Sequence, residues 1–160
     1  MPAEAVRMEG IVKRFPGVLA NAGIDFSVSW GEVHGLLGEN GAGKTVLMSI
    51  LYGLYQPDSG RIFVRGKETR IRSPHVAIEL GIGMVHQHFM LVPRLTVAEN
   101  IAVGWEPTRG PLFDRRAIVK KIKALVDQYG LEVDPTARVE ELSVGEQQRV
   151  EILKALYRGA

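Results

Sequence analysis

The sequence predicts an α/β core carrying a helical insertion, and three observations lead there. Strand-like alternation dominates the early part of the chain. A glycine-rich stretch, "GENGAGKTVL" from Gly38 to Leu47, separates an apolar run from a helix-compatible segment. Amphipathic segments with helix-start signals then dominate the later part. With 160 residues, 46% of them hydrophobic, the chain can bury a sizeable core and does not read as disordered.

The elements follow in order. Gly10 to Phe15 reads as a short strand, with a turn at Pro16-Gly17. Ile24, Phe26, Val28 and Trp30 alternate with small or polar residues, the pattern of a half-buried strand. Val33 to Leu37 reads as another short strand leading straight into the glycine stretch. A helix follows from Gly43 or Lys44 to Tyr52, with Leu47, Ile50 and Leu51 turned inward and Gly53 ending it. Pro57 to Gly60 is a turn, and Ile62 and Val64 mark the next strand.

Ser73 with Pro74 opens a helix that closes near Leu80-Gly81, and Ile82 to His86 reads as a strand. Thr96 and Glu99 have the spacing of a capping box, so a short helix runs through Ile101. Gly104 to Phe113 reads as loop. From Asp114 to Tyr129 a stripe of Ile118, Ile122, Leu125, Val126 and Tyr129 predicts the longest amphipathic helix. Ser143 and Glu146 form a second capping box, ahead of a helix whose Val150, Leu153, Leu156 and Tyr157 share one face.

Composition removes several function classes. There are no cysteines, so disulfides and thiolate metal sites are excluded. No apolar run approaches the roughly 20 residues that cross a bilayer, and the first residues mix charges without an apolar block. A net charge of +2 suits an anionic ligand. Without a Lys/Arg block or aromatics interleaved with cations, no nucleic-acid partner is expected. His86 and His88 alternate, but a third metal ligand is lacking.

Gly38, Gly43, Lys44 and Thr45 satisfy the pattern G-x-x-x-x-G-K-[ST]. Its chemistry needs several backbone N–H groups pointing into one concavity, which glycines permit. The helix beginning there adds unpaired N–H groups that favour an anion. The Lys44 amine reaches the β- and γ-phosphates of a triphosphate, and the Thr45 hydroxyl serves the oxygen shell of magnesium. A dinucleotide fingerprint fails, because counting from Gly41 and Gly43 its third glycine falls on Val46.

"GENGAGKT", "GIGMVHQHFMLVPRLTVAENI" and "LSVGEQQRVEILKALYRGA" together resemble the cytoplasmic ATPase subunit of ABC transporters, and within it the importers of simple sugars and nucleosides. The resemblance implies a P-loop NTPase fold of ABC-ATPase type with an antiparallel β part. It implies core and signature regions at about 1–88 and 139–160, and a coupling loop with a helical subdomain at about 89–138. ATP and Mg2+ are the implied cofactors. The loop contacts would come from Gly38, Asn40, Gly41, Gly43, Lys44, Thr45 and Val46. Phe15 would stack on adenine, and Gln87 would approach the magnesium and the attacking water, with Lys44 completing the catalytic pair and Thr45 and Gln87 the metal contacts.

Ser143 and Gly145 resemble the signature that contacts nucleotide held by an opposite cassette. Ser143 brings a hydroxyl donor and Gly145 permits close backbone approach. The implied partners are a second cassette, transmembrane permease subunits and, indirectly, an extracytoplasmic solute-binding protein. The implied place is the cytoplasmic face of the membrane, peripherally bound. Alternatives from other classes are a non-transport ABC-type ATPase and a regulatory ATP-binding module.

Two departures stand out. Thr45 is followed by Val46 where the family usually has a second hydroxyl, removing a hydrogen bond to a charged group worth roughly 1.5–3 kcal/mol. Val144 and Glu146 replace the commoner Gly and Gln, and Glu146 puts an anion near a phosphate site unless it turns back to cap its helix. The resemblance also implies a second acidic motif, an apolar strand ending in Asp-Glu. None occurs in the 160 residues. The family pattern puts it just after Gly159-Ala160, so the expectation is a cassette cut before that motif. Its loop-bearing strand would then expose backbone and apolar groups.

Overall fold

The structure, a computed structural model, describes residues 4–86, 89–105, 108–109 and 112–160. Its contacts divide the chain into two units, Met1–Ile82 and Gly83–Ala160. The first unit contains β1 (Glu4–Phe15), β2 (Val18–Ser29), α1 (Lys44–Leu51), β3 (Ser59–Val64), β4 (Lys67–Glu68) and α2 (Pro74–Glu79). The second contains α3 (Val97–Ala102), β5 (Thr108–Arg109), β6 (Leu112–Phe113), α4 (Arg115–Tyr129), a 3-10 turn at Val139–Glu141 and α5 (Val144–Tyr157).

In the first unit the strands run in the order β2-β1-β3-β4, every neighbour antiparallel. The β1–β2 hairpin is far longer than the alternation predicts. Register shifts between Met8 and Val12 explain why, since irregular pairing breaks the period of two on which the prediction rests. At that irregularity the Gly10 N–H donates to Asp25 Oδ1 at 2.7 Å. Met8 and Ile11 of β1, Ile62 and Val64 of β3, and Leu47 and Ile50 of α1 meet Ile71 and Ala77 in a buried cluster. Each large aliphatic side chain so buried contributes about 1.5–3 kcal/mol. Trp30, expected on the half-buried face of β2, is 57% exposed.

Two expected strands are absent. Neither Val33 to Leu37 nor the described residues from Ile82 to His86 form a ladder. Val33 is 100% exposed and Leu37 93%, while Leu36 packs against the cluster. The composition suits strands, but a strand exists only where another offers it hydrogen bonds. Among the described residues no neighbour does so.

In the second unit Val97, Ala98, Ile101 and Ala102 of α3 pack with Ile118 and Ile122 of α4 and Val150, Leu153 and Tyr157 of α5. Val139 completes this core. The expected α4 stripe is present except at its end, where Tyr129 is 49% exposed. Within the span read as loop, Thr108 pairs with Phe113 and Arg109 with Leu112 in a minimal hairpin. Pairs of two residues are too short to leave a periodic signal.

Candidate functional site: the phosphate loop and the signature helix

The loop from Gly38 to Gly43 ends at the first turn of α1, and Gly43 adopts a left-handed conformation (φ 81°) at its N-cap. That glycine is required twice over. A side chain would be strained at this φ, and a Cβ there would overlap the Ala20 carbonyl oxygen and stand 2.8 Å from Asn21 Nδ2. No side chain caps α1, and no acidic residue lies in its first turn. The helix end therefore keeps unpaired N–H groups and a partial positive charge. Beside it, Lys44 Nζ donates to the Gly38 and Glu39 carbonyls at 2.6 and 2.7 Å. The amine is thus folded back over the loop that contains Asn40 and Gly41, whose φ is also positive at 84°.

Thr45 is exposed, its hydroxyl one residue beyond the lysine. Val46, the departure from the two-hydroxyl pattern, is half-buried against the first core cluster. This donor set fits a magnesium-bound polyphosphate: an uncapped helix end, a lysine amine beside it and an exposed hydroxyl.

Phe15 ends β1 and lies outside the buried cluster, half-buried. Its ring meets Tyr55 edge-on, centroids 5.3 Å apart, and Lys13 Nζ stands 5.5 Å from its centre. The adjoining turn is pinned by Asp58, which accepts from the Arg14 N–H at 2.6 Å and from Lys13 Nζ at 3.0 Å. Those bonds, the backbone one foremost, hold the Asp58 carboxyl below its usual range.

In the second unit Ser143 is the N-cap of α5. Its N–H and hydroxyl both donate to Glu146 Oε2, at 2.8 and 2.6 Å, while its Oγ accepts from the Glu146 N–H at 3.4 Å. Glu146 therefore does turn back to cap its helix. The Ser143 hydroxyl, followed by its N–H, holds the Glu146 carboxyl below the ordinary glutamate range. Nothing lies within 4 Å of where a Cβ on Gly145 would stand.

The expected site residues thus fall into two groups. Phe15 and the loop residues Gly38, Asn40, Gly41, Gly43, Lys44, Thr45 and Val46 belong to the first unit, and Ser143 and Gly145 to the second. Gln87 lies outside the described residues, as does His88. Sequence reasoning missed Asn21. Its side chain, 3% exposed, donates through Nδ2 to the Gly43 carbonyl at 3.3 Å, and its Oδ1 is buried without a protein partner. Nothing in the pattern of β2 marks a lone asparagine as an anchor for a loop 22 residues away.

Comparison with known proteins identifies the family. The pattern of the family described as ABC transporter matches residues 22–160. The guanosine import ATP-binding protein NupO of Bacillus subtilis is 54% identical over 155 residues, covering 97% of this chain and 30% of that protein. The ribose import ATP-binding protein RbsA 1 of Rubrobacter xylanophilus is 52% identical over 151 residues, 94% of this chain and 30% of its own length. The crystal structure of a nucleotide-free ATP-binding cassette from an ABC transporter superposes with a TM-score of 0.83 at 28% identity, covering 97% of this chain and 65% of that one. The chain spans about a third of these curated relatives and just under two thirds of the solved cassette. Among the described residues no helix is long and apolar enough to cross a membrane. With its phosphate loop, its fold and its relatives in agreement, the chain belongs to the ABC transporter family, as part of an ATP-binding cassette related to the sugar and nucleoside import ATPases.

Proposed function

We propose that this chain is the nucleotide-binding part of an ATPase that drives import of a sugar or nucleoside through a membrane permease. The observation that carries the reading is the start of α1. It has no cap of its own, its N-cap glycine is irreplaceable, and a lysine amine lies folded over the loop. An anion is what such an end lacks. Relatives with sugar and nucleoside import in their names supply the substrate class.

In this reading the amides of Gly38 to Gly43 and the Lys44 amine hold the ATP phosphates, Thr45 and Gln87 face magnesium, and Phe15 stacks on adenine. Bound magnesium neutralises phosphate charge and orders its oxygens. Lys44 must leave the Gly38 and Glu39 carbonyls to reach the phosphates, so its present bonds keep the amine close to the place where it would act. Ser143 and Gly145 serve nucleotide held by a second cassette, and Gly145, with open space before it, leaves room for that approach. Residues 89–138 form the coupling loop and helical subdomain toward the permease, on the cytoplasmic face of the membrane. A solute-binding protein is the indirect partner.

The test is magnesium-dependent ATP binding by the chain with Lys44 intact and with Lys44→Ala, followed by calorimetry. Loss of charge-assisted hydrogen bonds predicts an affinity drop of about tenfold or more. Equal affinities would count against the cradle.

A further inference from the structure

The described segment that begins at Phe89 is tied to α5 in a way that no motif announces. Met90 is 64% exposed, yet both of its backbone polar groups are held by side chains of one helix. Its N–H donates to Glu151 Oε1 at 2.7 Å, and its carbonyl accepts from Lys154 Nζ at 2.9 Å. Residues 151 and 154 are three apart and so lie one above the other on α5. Glu151 is 3% exposed, and a carboxylate removed from water to that degree needs strong donors. Two residues on, Asn100 holds Val92 in the same fashion, accepting from its N–H at 2.7 Å and donating to its carbonyl at 3.0 Å. Burial draws the Lys154 amine below its usual range, opposed by the charge of Glu151.

We propose that Glu151 and Lys154 are positioning residues that clamp the Met90 backbone to α5, so that the segment from Phe89 to Val92 follows the helix whose N-cap is Ser143. An irregular segment has no ladder of its own to fix it. Here a carboxylate and an ammonium take the places of a neighbouring strand's carbonyl and amide. The purpose of the clamp rests on the proposed function: a change at the nucleotide-facing end of α5 reaches the segment assigned to the permease through these two bonds. Sequence alone hides the device, because Glu151 reads as a polar residue beside a helix stripe.

Amide exchange of the full chain, followed residue by residue by NMR without nucleotide, tests the clamp. The Met90 amide is expected to be protected in the wild type. Glu151→Leu should speed its exchange by at least about tenfold, while the Val92 amide, held by Asn100, stays protected and reports an intact fold. Glu151→Gln, which keeps an acceptor oxygen, should restore most of the protection at Met90. Lys154→Met should leave the Met90 amide slow and shift the carbonyl carbon resonance of the same residue.

Exchange at Met90 as fast as in an unstructured peptide in the wild type would overturn the proposal. So would unchanged Met90 exchange in Glu151→Leu with Val92 still protected. If Glu151→Leu fails to fold, Lys154→Met decides: an unmoved Met90 carbonyl resonance there would overturn it as well. No nucleotide is involved, so this result is independent of the Lys44→Ala outcome.

Discussion

The helices α1 and α5 begin in opposite ways, and each beginning is legible as a different task. At α5 the chain satisfies its own helix end: Ser143 and Glu146 exchange hydrogen bonds in a complete capping box. At α1 it does not. The N-cap is a left-handed glycine without a side chain to offer, and the first turn has no carboxylate. The helices α2, α3 and α4 resemble α5 in this respect, being capped by Ser73, Thr96 and Asp114. Among the described α-helices self-capping is therefore the habit, and α1 is the one whose end is kept open.

The two glycines sharpen the contrast and give the largest predicted effects. Gly43 is fixed by the fold, since a Cβ would overlap the Ala20 carbonyl at a strained φ. Gly43→Ala is expected to destabilise the first unit by about 3 kcal/mol, read as a fall in the denaturant midpoint. Gly145 sits in the first turn of α5 with nothing near its missing Cβ. Gly145→Ala should change stability by no more than about 1 kcal/mol, in the stabilising direction. Under the proposed function, its cost should appear only in nucleotide-dependent association with a second cassette. Equal destabilisation by both substitutions would erase the distinction.

Asn21 offers the next way to break the comparison, because it supports the open end from behind. Asn21→Asp places a buried anion beside the Gly43 carbonyl and removes the donor. A loss of about 2 kcal/mol in stability is expected, with weaker nucleotide binding than the stability loss alone explains. Thermal unfolding with and without ATP separates the two. At α5 the matching change is Ser143→Ala, which removes the cap and should cost about 1 kcal/mol, read from chemical denaturation.

Much of this contrast was present in the sequence. The loop motif, both capping boxes and the α4 stripe depend on residues three to eight positions apart, and at that range local physics decides the structure. The open end of α1 was legible for the same reason: Gly43, Lys44 and Thr45 are adjacent. What stayed hidden depends on distant partners. The length of the β1–β2 hairpin turns on irregular register around Gly10. Val33 to Leu37 has the composition of a strand and no ladder. Asn21 and Glu151 act on backbone groups 22 and 61 residues away. A hydrogen bond of that reach leaves no periodic trace.

Acid gives the smallest effect and the most selective one. Glu146 is held below its ordinary range by the Ser143 hydroxyl and N–H, and Glu99 by the Thr96 N–H and hydroxyl. A carboxyl whose folded value is lowered adds stability that is fully present above its unfolded value and is lost as pH falls through the folded one. The caps of α5 and α3 should therefore loosen below the usual glutamate range. The start of α1 has no carboxylate to protonate and no such response of its own. Glu146→Gln isolates the contribution, since a neutral amide does not titrate. The variant's stability should fall less steeply with acid than that of the wild type, with Glu99 common to both. Amide exchange in the first turn of α5, followed across that pH range, should show the same difference. Parallel curves for the two proteins would mean that the charge on Glu146 does not hold the cap, and the opposition between the two helix ends would then reduce to the hydroxyl of Ser143.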